Sequence, residues 1–376
     1  MRVLLTGGGT AGHINPALAI AETVLQNAPD SKIAFVGIKN GKETDLVPRE
    51  GYPLHFVKSK GIDRDKKKWS MANIEAYWLA LTSPYAPRTT RILKRFKPDI
   101  VIGTGGYACW PIMAAAARMG IPTAVHESNA LPGLAVRRLQ DRVDRIWINF
   151  PNTADKLSAK DKIVKVGNPL RRGFGTLSYA EARKKLGIEP NTKLILSFGG
   201  SLGAEMVNQA VMEMMRDDSS KNSEVLHIHA AGKRDYAHTK SVFESYGLNG
   251  CKNCVLTDYI YDMPIRMAAA DLVISRAGAM TLSELALMKK SCVLIPSPNV
   301  ADNHQYLNAK ALADAGAAEL VEEKNLSDGT LITASKRILN DPVYAARMQR
   351  AIGAFADSDA NQRIWNQIQE LTGSKK

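Results

Sequence analysis

The chain has 376 residues, 45% of them hydrophobic and 23% charged, which is ordinary for globular protein and enough for two or three domains. Three things are not expected. The apolar run after Arg2 is too short for a secretory signal, no run approaches a membrane span (the nearest, from Ile112, ends at Arg118), and four cysteines do not make a disulfide framework. The cytoplasm is the expected compartment, and a net charge of +13 leaves nucleic acid, an acidic membrane surface or an anionic substrate as the partner class to identify.

The chain opens on Val3-Leu-Leu, a run of glycines, and an alanine-rich segment whose first turn would carry Pro16. That reads as strand, tight loop and helix, a junction that aims backbone N–H groups at an anion. Apolar β-rich runs then alternate with helical patterns: Ile33–Val36, Ile100–Ile102, Thr123–Val125, Leu194–Phe198, Val225–Ile228, Val255–Leu256, Leu272–Ile274 and Cys292–Ile295. The alternation predicts α/β domains built on parallel sheets. The second half also repeats the first. Gly9-Thr-Ala-Gly12 is answered by Gly200-Ser-Leu-Gly203, and Asp99-Ile-Val-Ile-Gly-Thr-Gly-Gly106 by Asp271-Leu-Val-Ile-Ser-Arg-Ala-Gly278. The pattern predicts two doubly wound domains facing a central cleft, with ligands at the carboxyl ends of the strands. Their join is expected where Lys165–Arg172 interrupts the pattern with Gly167 and Pro169. The expected division is 1–165, 166–345 and a C-terminal helical segment over 346–376 that packs back on the first domain.

Gly7, Gly9 and Gly12 match a dinucleotide fingerprint, but the strand Ile33–Val36 ends at Gly37 with no carboxylate to hold a ribose. The second glycine loop has no such partner either. Cys251 and Cys254 precede their strand and lack a second pair, so they read as a turn with two incidental thiols.

Four polar side chains could carry chemistry. His13, beside the first glycine loop, is either a first-turn histidine bonded to a carbonyl or a base for a substrate hydroxyl. Thr281-Leu-Ser-Glu284 matches a capping box, while Glu284 could instead take both hydroxyls of a ribose. Asn129 and Gln305 follow strands, and their amides suit sugar hydroxyls or ordinary loop capping.

Taken in order, G-G-T-A-G-H-I-N-P-A-L-A, T-G-G-Y, H-E-S-N, V-G-N-P-L-R, F-G-G-S-L-G-A, S-R-A-G-A-M-T-L-S-E and N-H-Q-Y-L-N-A resemble the MurG family of family 28 glycosyltransferases. These are peripheral-membrane enzymes that add N-acetylglucosamine to the undecaprenyl-diphosphate-linked muramyl-pentapeptide of peptidoglycan. The resemblance runs from Arg2 to about Glu323 and implies a GT-B fold and inverting transfer from UDP-GlcNAc. Ala11, Ser128 and His304 depart from the family pattern, and Ala11 adds a methyl to the phosphate loop. By resemblance the donor sugar meets Asn129, Arg171, Ala279, Met280 and Gln305, with Thr281, Leu282 and Ser283 beside them. Ser201 takes the pyrophosphate, the backbone of Ile260 the uracil, and Glu284 the ribose. Thr10, Ala11 and Gly12 line the cleft from the other side. Gly9, Gly105, Gly106, Tyr107, His126 and Glu127 fall on the acceptor side, and His13 is the candidate base.

No obligatory metal or other cofactor is expected, since a helix dipole with Arg171 can balance the leaving diphosphate. The rival readings are another GT-B enzyme, such as a glycolipid glycosyltransferase or a UDP-GlcNAc epimerase, and a basic nucleic-acid module, which lacks any RNP, KH or zinc-finger signature. The expected location is the cytoplasmic face of the cell membrane, with proteins of cell-wall synthesis or division as further partners.

The stretch from Lys58 to Lys97 is where the first half outgrows the second. Trp69, Ile74, Trp78, Leu79 and Leu81 lie between Lys66, Lys67 and Lys68 and a second basic group, with Trp110 expected to join them. Such a stripe is either core with a solvated basic rim or a face that docks on an anionic membrane. Nucleic acid would account for the charge but not for the aliphatic stripe.

Overall fold

The structure is a computed structural model and describes residues 1–61, 70–200, 203–300 and 303–373. Trp69, Lys66, Lys67, Lys68 and Ser201 lie outside the described residues. The chain divides into two compact units, 1–171 with 358–376, and 172–357.

In the first unit β1 (Arg2–Thr6), α1 (Ala11–Asn27), β2 (Lys32–Gly37), α2 (Glu43–Arg49) and β3 (Leu54–Phe56) come first. They are followed by α3 (Met71–Thr82), α4 (Pro87–Phe96), β4 (Ile100–Gly103), α5 (Cys109–Arg118), β5 (Thr123–Glu127), α6 (Leu134–Leu139), β6 (Arg145–Ile148) and β7 (Ile163–Lys165). The second unit runs through α7 (Tyr179–Leu186), β8 (Lys193–Phe198), α8 (Glu205–Asp217), β9 (Val225–Ala230), α9 (Tyr236–Ser245), β10 (Cys254–Thr257) and α10 (Met263–Ala269). It ends with β11 (Leu272–Ser275), α11 (Ala279–Leu287), β12 (Cys292–Leu294), α12 (His304–Asp314), β13 (Glu319–Leu320), α13 (Thr330–Asn340) and α14 (Pro342–Gly353). The closing helix, α15 (Ala360–Gly373), returns to the first unit.

All strand pairs are parallel, in the orders β3-β2-β1-β4-β5-β6-β7 and β10-β9-β8-β11-β12-β13. Each sheet is covered on both faces, which is why its strands read as near-continuous apolar runs. Leu4 and Val101 pack on one side of the first sheet, while Val3, Leu5, Ile100 and Ile102 pack on the other. Strand order reverses between β1 and β4 and again between β8 and β11, so each unit has one crevice at the carboxyl ends of those strands.

Three local expectations change. The helix after the first glycines begins at Ala11, so Pro16 sits inside α1 rather than in its first turn. The units meet at Arg171–Arg172 rather than at 165–166, because Val166 is buried in the first core and Leu170 exchanges two hydrogen bonds with the Asn361 side chain (3.0 and 2.8 Å). Helix α14 stays with the second unit. The returning segment therefore starts at Ser358, and Ile364, Trp365 and Ile368 of α15 pack in the cluster that holds the buried face of α1.

Candidate functional site

In the first unit the crevice at the β1–β4 reversal is built by glycines that no other residue could replace. A Cβ on Gly7 would lie 2.0 Å from Thr104 Oγ1, and one on Gly106, at φ +78°, would lie 2.2 Å from the Gly8 carbonyl oxygen. This close packing of the Gly7–Thr10 and Thr104–Tyr107 loops leaves room for one ring between them, that of His13. The Thr104 hydroxyl donates to the His13 carbonyl at 2.6 Å, and His13 Nδ1 lies 3.2 Å from Thr10 Oγ1. Burial depresses the imidazole pKa below its ordinary value, against smaller upward effects of a backbone bond at Gly8 and the charge of Glu43. Gly105 lies against the ring: a Cβ there would approach Nε2 to 3.2 Å. The imidazole is therefore neutral near physiological pH, held at Nδ1, with Nε2 beside a residue that has no side chain.

Glu43 is the functional-site residue that the sequence reading missed. It is buried at the start of α2, and its two carboxyl oxygens accept from Ile38 N (2.9 Å) and Gly9 N (3.1 Å). A carboxyl group does brace the first loop, but it arrives on the helix after β2 rather than at the strand's end. One loop N–H expected to face an anion is therefore taken. The donors left at this junction are those of the α1 start, where Thr10 makes no side-chain cap. Tyr107 stands beside Gly9, with its carbonyl held by the Ser59 hydroxyl at 2.7 Å.

His126 and Glu127, expected on the acceptor side, are both buried in the first unit. His126 is fully buried, donates from Nε2 to the Gly167 carbonyl at 2.8 Å, and has its pKa pushed down by burial to about 4. Glu127 accepts from Asn129 N (2.9 Å), Asn129 Nδ2 (3.0 Å) and Gly133 N (2.7 Å), while burial raises its pKa. Both groups shape the loop that carries half-buried Asn129 and fixes its amide. Arg171, expected at the donor sugar, pairs through its guanidinium with Glu22 (2.9 Å) and Glu50 (2.6 Å) in the first unit.

In the second unit the crevice lies between the loop after β8 and the one after β11. Gly200 and Gly203 take φ +93° and +89°, and a Cβ on Gly203 would lie 2.5 Å from both Ala231 O and Asp235 Oδ2. Helix α8 starts at Glu205 without a side-chain cap. Across the reversal, Gly278 caps α11, on which Ala279, Met280, Leu282 and Glu284 are buried and Thr281 and Ser283 half-buried. The Ser283 hydroxyl donates back to the Ala279 carbonyl at 3.1 Å. Glu284 is the sixth residue of this helix, so the capping-box reading fails: Thr281 lies inside the helix and caps nothing.

Gln305, near the start of α12, accepts from Ser297 N through Oε1 at 2.9 Å, which leaves its N–H groups to offer a sugar. Arg276 fastens the turn after β12 by donating to the carbonyls of Ile295 and Pro296 (3.2 and 3.1 Å) and pairing with Glu323. Ile260 is buried in the core beyond β10, so its side chain anchors the segment and only its backbone can serve a base. The loops after β8, β10, β11 and β12 thus bring Ile260, Ala279–Glu284 and Gln305 to the carboxyl edge of one sheet.

The segment after Lys58 resolves the choice between core and surface for its apolar stripe. Met71, Ile74, Trp78, Leu81 and Tyr85 are 82, 43, 61, 73 and 64% exposed, so the stripe on α3 and the following turn is not core. Leu79 is half-buried and leaves that face. Trp110 instead supports the helix from beneath, donating from Nε1 to the Ala80 carbonyl at 2.6 Å. Among the described residues no helix is long and apolar enough to cross a membrane.

Comparison with known proteins agrees with this geometry. Residues 3–148 match the glycosyltransferase family 28 N-terminal domain, and residues 194–364 match the family 28 C-terminal domain. A UDP-N-acetylglucosamine--N-acetylmuramyl-(pentapeptide) pyrophosphoryl-undecaprenol N-acetylglucosamine transferase from Acetivibrio thermocellus is 39% identical over 375 residues, covering 100% of this chain and 99% of the relative. A protein of the same description from Thermoanaerobacter sp. strain X514 is 38% identical, covering 99% and 100%. Among solved structures, MurG of Acinetobacter baumannii superimposes with a TM-score of 0.69 at 26% identity, covering 98% of this chain and 99% of that one.

Proposed function

We infer the reaction of this chain from one premise: it belongs to glycosyltransferase family 28, on the branch of the undecaprenol-linked N-acetylglucosamine transferases. It transfers N-acetylglucosamine from UDP-GlcNAc to the undecaprenyl-diphosphate-linked N-acetylmuramyl-pentapeptide. The observation that carries this reading is identity of 39% along the whole chain, through both units rather than one motif.

The residues support an inverting transfer to the muramyl 4-hydroxyl. His13, neutral and held through Nδ1, takes the hydroxyl proton at Nε2 as the oxygen attacks the anomeric carbon. The bond to UDP breaks on the opposite side, and charge gathers on the diphosphate. Backbone N–H groups at the uncapped start of α8 supply fixed donors for it, more valuable as charge develops than before. Glu284 holds the ribose, the backbone at Ile260 the uracil, and Gln305 with Ala279 and Met280 the sugar. Arg171 has no assigned role in this scheme, since Glu22 and Glu50 already pair with it. The exposed stripe of α3 is the face by which the enzyme sits on an anionic membrane, where its lipid acceptor resides.

The test is a thermal-shift panel of UDP-GlcNAc, UDP-glucose and NADH, followed by turnover with the lipid-linked acceptor. A selective ligand at about 100 times its dissociation constant adds ~2.7 kcal/mol of stability. UDP-GlcNAc should stabilise selectively and be consumed only with acceptor present. Stabilisation by NADH alone, or consumption of UDP-GlcNAc without acceptor, would refute the reading.

A further inference from the structure

The first unit carries a basic cavity that the transfer reaction does not use. It has a volume of about 590 Å3 and is lined by Arg2, His55, Arg88, Arg91, Ile92, Arg95 and Phe96, with no carboxylate among them. Its floor and walls follow from the elements. Arg88, Arg91, Ile92, Arg95 and Phe96 stand at helical spacing along one side of α4, whose opposite side buries Thr89 and Leu93. Arg2 opens β1, at the other end of that strand from the Gly7–Gly12 loop. Its backbone N–H, not its guanidinium, donates to Asp99 at 2.7 Å. Its guanidinium lies 5.3 Å from the centre of the Phe96 ring, with Nη2 3.5 Å from the Arg95 carbonyl oxygen. Arg2 Nε is buried and has no hydrogen-bond partner.

We propose that this cavity binds a phosphate-bearing anion, with Arg2, Arg88, Arg91 and Arg95 as its ligands and Phe96 holding the Arg2 guanidinium in place. Four guanidinium groups around one cavity repel each other, and a multiply charged anion relieves that repulsion while meeting the unused N–H donors. Planar guanidinium forks pair with the oxygens of phosphate or carboxylate alike, but a phosphate offers more acceptor oxygens than a carboxylate's two, so a diphosphate or a lipid phosphate can engage more of the four forks. His55 registers the same field: burial and, after it, the charge of Arg95 hold its pKa below the ordinary value. The site goes beyond the transfer reaction and does not depend on the residues assigned to it.

The decisive probe is inorganic pyrophosphate, titrated calorimetrically into the full chain with UDP present to occupy the donor loop. Wild type should bind pyrophosphate, and Arg91→Gln/Arg95→Gln should weaken that binding by roughly tenfold or more for each guanidinium lost, the usual cost of a hydrogen bond to a charged group. The variant should keep its circular dichroism, melting point and UDP affinity, since both arginines are exposed and lie outside the donor crevice. Pyrophosphate should also raise the His55 pKa in wild type and leave it unmoved in the variant.

Vesicles of phosphatidylcholine with and without phosphatidylglycerol then identify the source of the phosphate. If pyrophosphate displaces the protein from the anionic vesicles and the variant binds them poorly, the ligand is a lipid headgroup. If vesicle binding is indifferent to both while pyrophosphate binding is lost, it is a soluble phosphate. No pyrophosphate binding by wild type, or equal binding by the variant, overturns the proposal. A UDP titration without heat would count against the donor reading alone, because the comparison of wild type with variant still decides this site.

Discussion

A histidine serves as a base near neutral pH only if it is uncharged and held still, and His13 meets the two conditions through different neighbours. Burial between the glycine loops lowers its pKa, and Thr10 and Thr104 fix its ring and its backbone. A base of this kind contributes about 10²–10⁴ in rate, so His13→Ala should lower kcat by that order with UDP-GlcNAc affinity unchanged. The acid limb of kcat/KM in wild type should fall below the ordinary imidazole value, because the depressed pKa keeps the ring neutral to lower pH. Turnover close to wild type in the alanine variant would return His13 to a structural part. Glu284 allows a second test at this scale, because its place inside α11 removes capping as an explanation. Glu284→Gln keeps the shape but not the charge, and should weaken UDP binding by roughly tenfold, the cost of a hydrogen bond to a charged acceptor, with stability nearly unchanged. Calorimetry that finds normal UDP affinity and a lowered melting point would refute the ribose assignment.

The helix α3 shows how far an element can be read from its pattern and where the pattern stops. Apolar residues at helical spacing announced the helix, but the same spacing describes a buried stripe and an exposed one. The outcome depended on neighbours: Trp110 and the half-buried Leu79 hold the inner side, so Trp78 and Leu81 are left outside. Tryptophan at a headgroup boundary gains from both phases, and each nearby basic residue adds about 1 kcal/mol toward anionic lipid. Trp78→Ser should therefore reduce sedimentation with phosphatidylglycerol vesicles while leaving turnover on a soluble acceptor analogue intact. Equal binding to neutral vesicles, or undiminished binding by the variant, would count against docking through α3.

The same limit explains the strands. The central strands were legible because both faces are buried and their aliphatic runs are continuous, as in β1, β4, β8 and β11. Strands β3, β6, β7 and β13 were not, because two to four residues at or near a sheet edge leave too short a period to detect. Glu43 escaped for a related reason. The rule looks for a carboxylate closing β2, whereas the loop is braced from the first residue of α2, a distance in sequence that only the fold closes.

At the scale of the whole molecule, the buried histidines tie stability to pH in a direction fixed by their hydrogen bonds. Asn208 Nδ2 donates to the Ala231 carbonyl at 3.0 Å, which leaves Oδ1 to accept from His229 Nε2 at the same distance. His229 Nδ1 must then accept from the Ser197 hydroxyl at 2.8 Å, and Ser197 Oγ accepts from His227 Nε2 at 2.9 Å. The chain closes with the Ser219 hydroxyl donating to His227 Nδ1 at 3.0 Å. Every ring nitrogen in this chain is committed, so neither ring can gain a proton without breaking a bond, and burial pushes both pKa values down to about 3. His126 in the first unit, with its pKa pushed down to about 4, behaves alike.

In the unfolded chain these rings titrate near the ordinary value, so the unfolded state binds more protons at every pH between the two. The stability they confer is complete above about pH 6.5 and is lost progressively below it, down toward the folded-state values. From about pH 7 to about pH 5 the loss is roughly 2 kcal/mol for each histidine. Two of the three lie in the second unit. Melting followed from about pH 7 to about pH 5 should therefore show a falling midpoint, and His227→Gln should flatten that fall although it lowers the midpoint near pH 7. A wild-type midpoint that does not move over this range would show that the two rings accept protons without unfolding, and the claim that every ring nitrogen along Asn208, His229, Ser197, His227 and Ser219 is committed would fall.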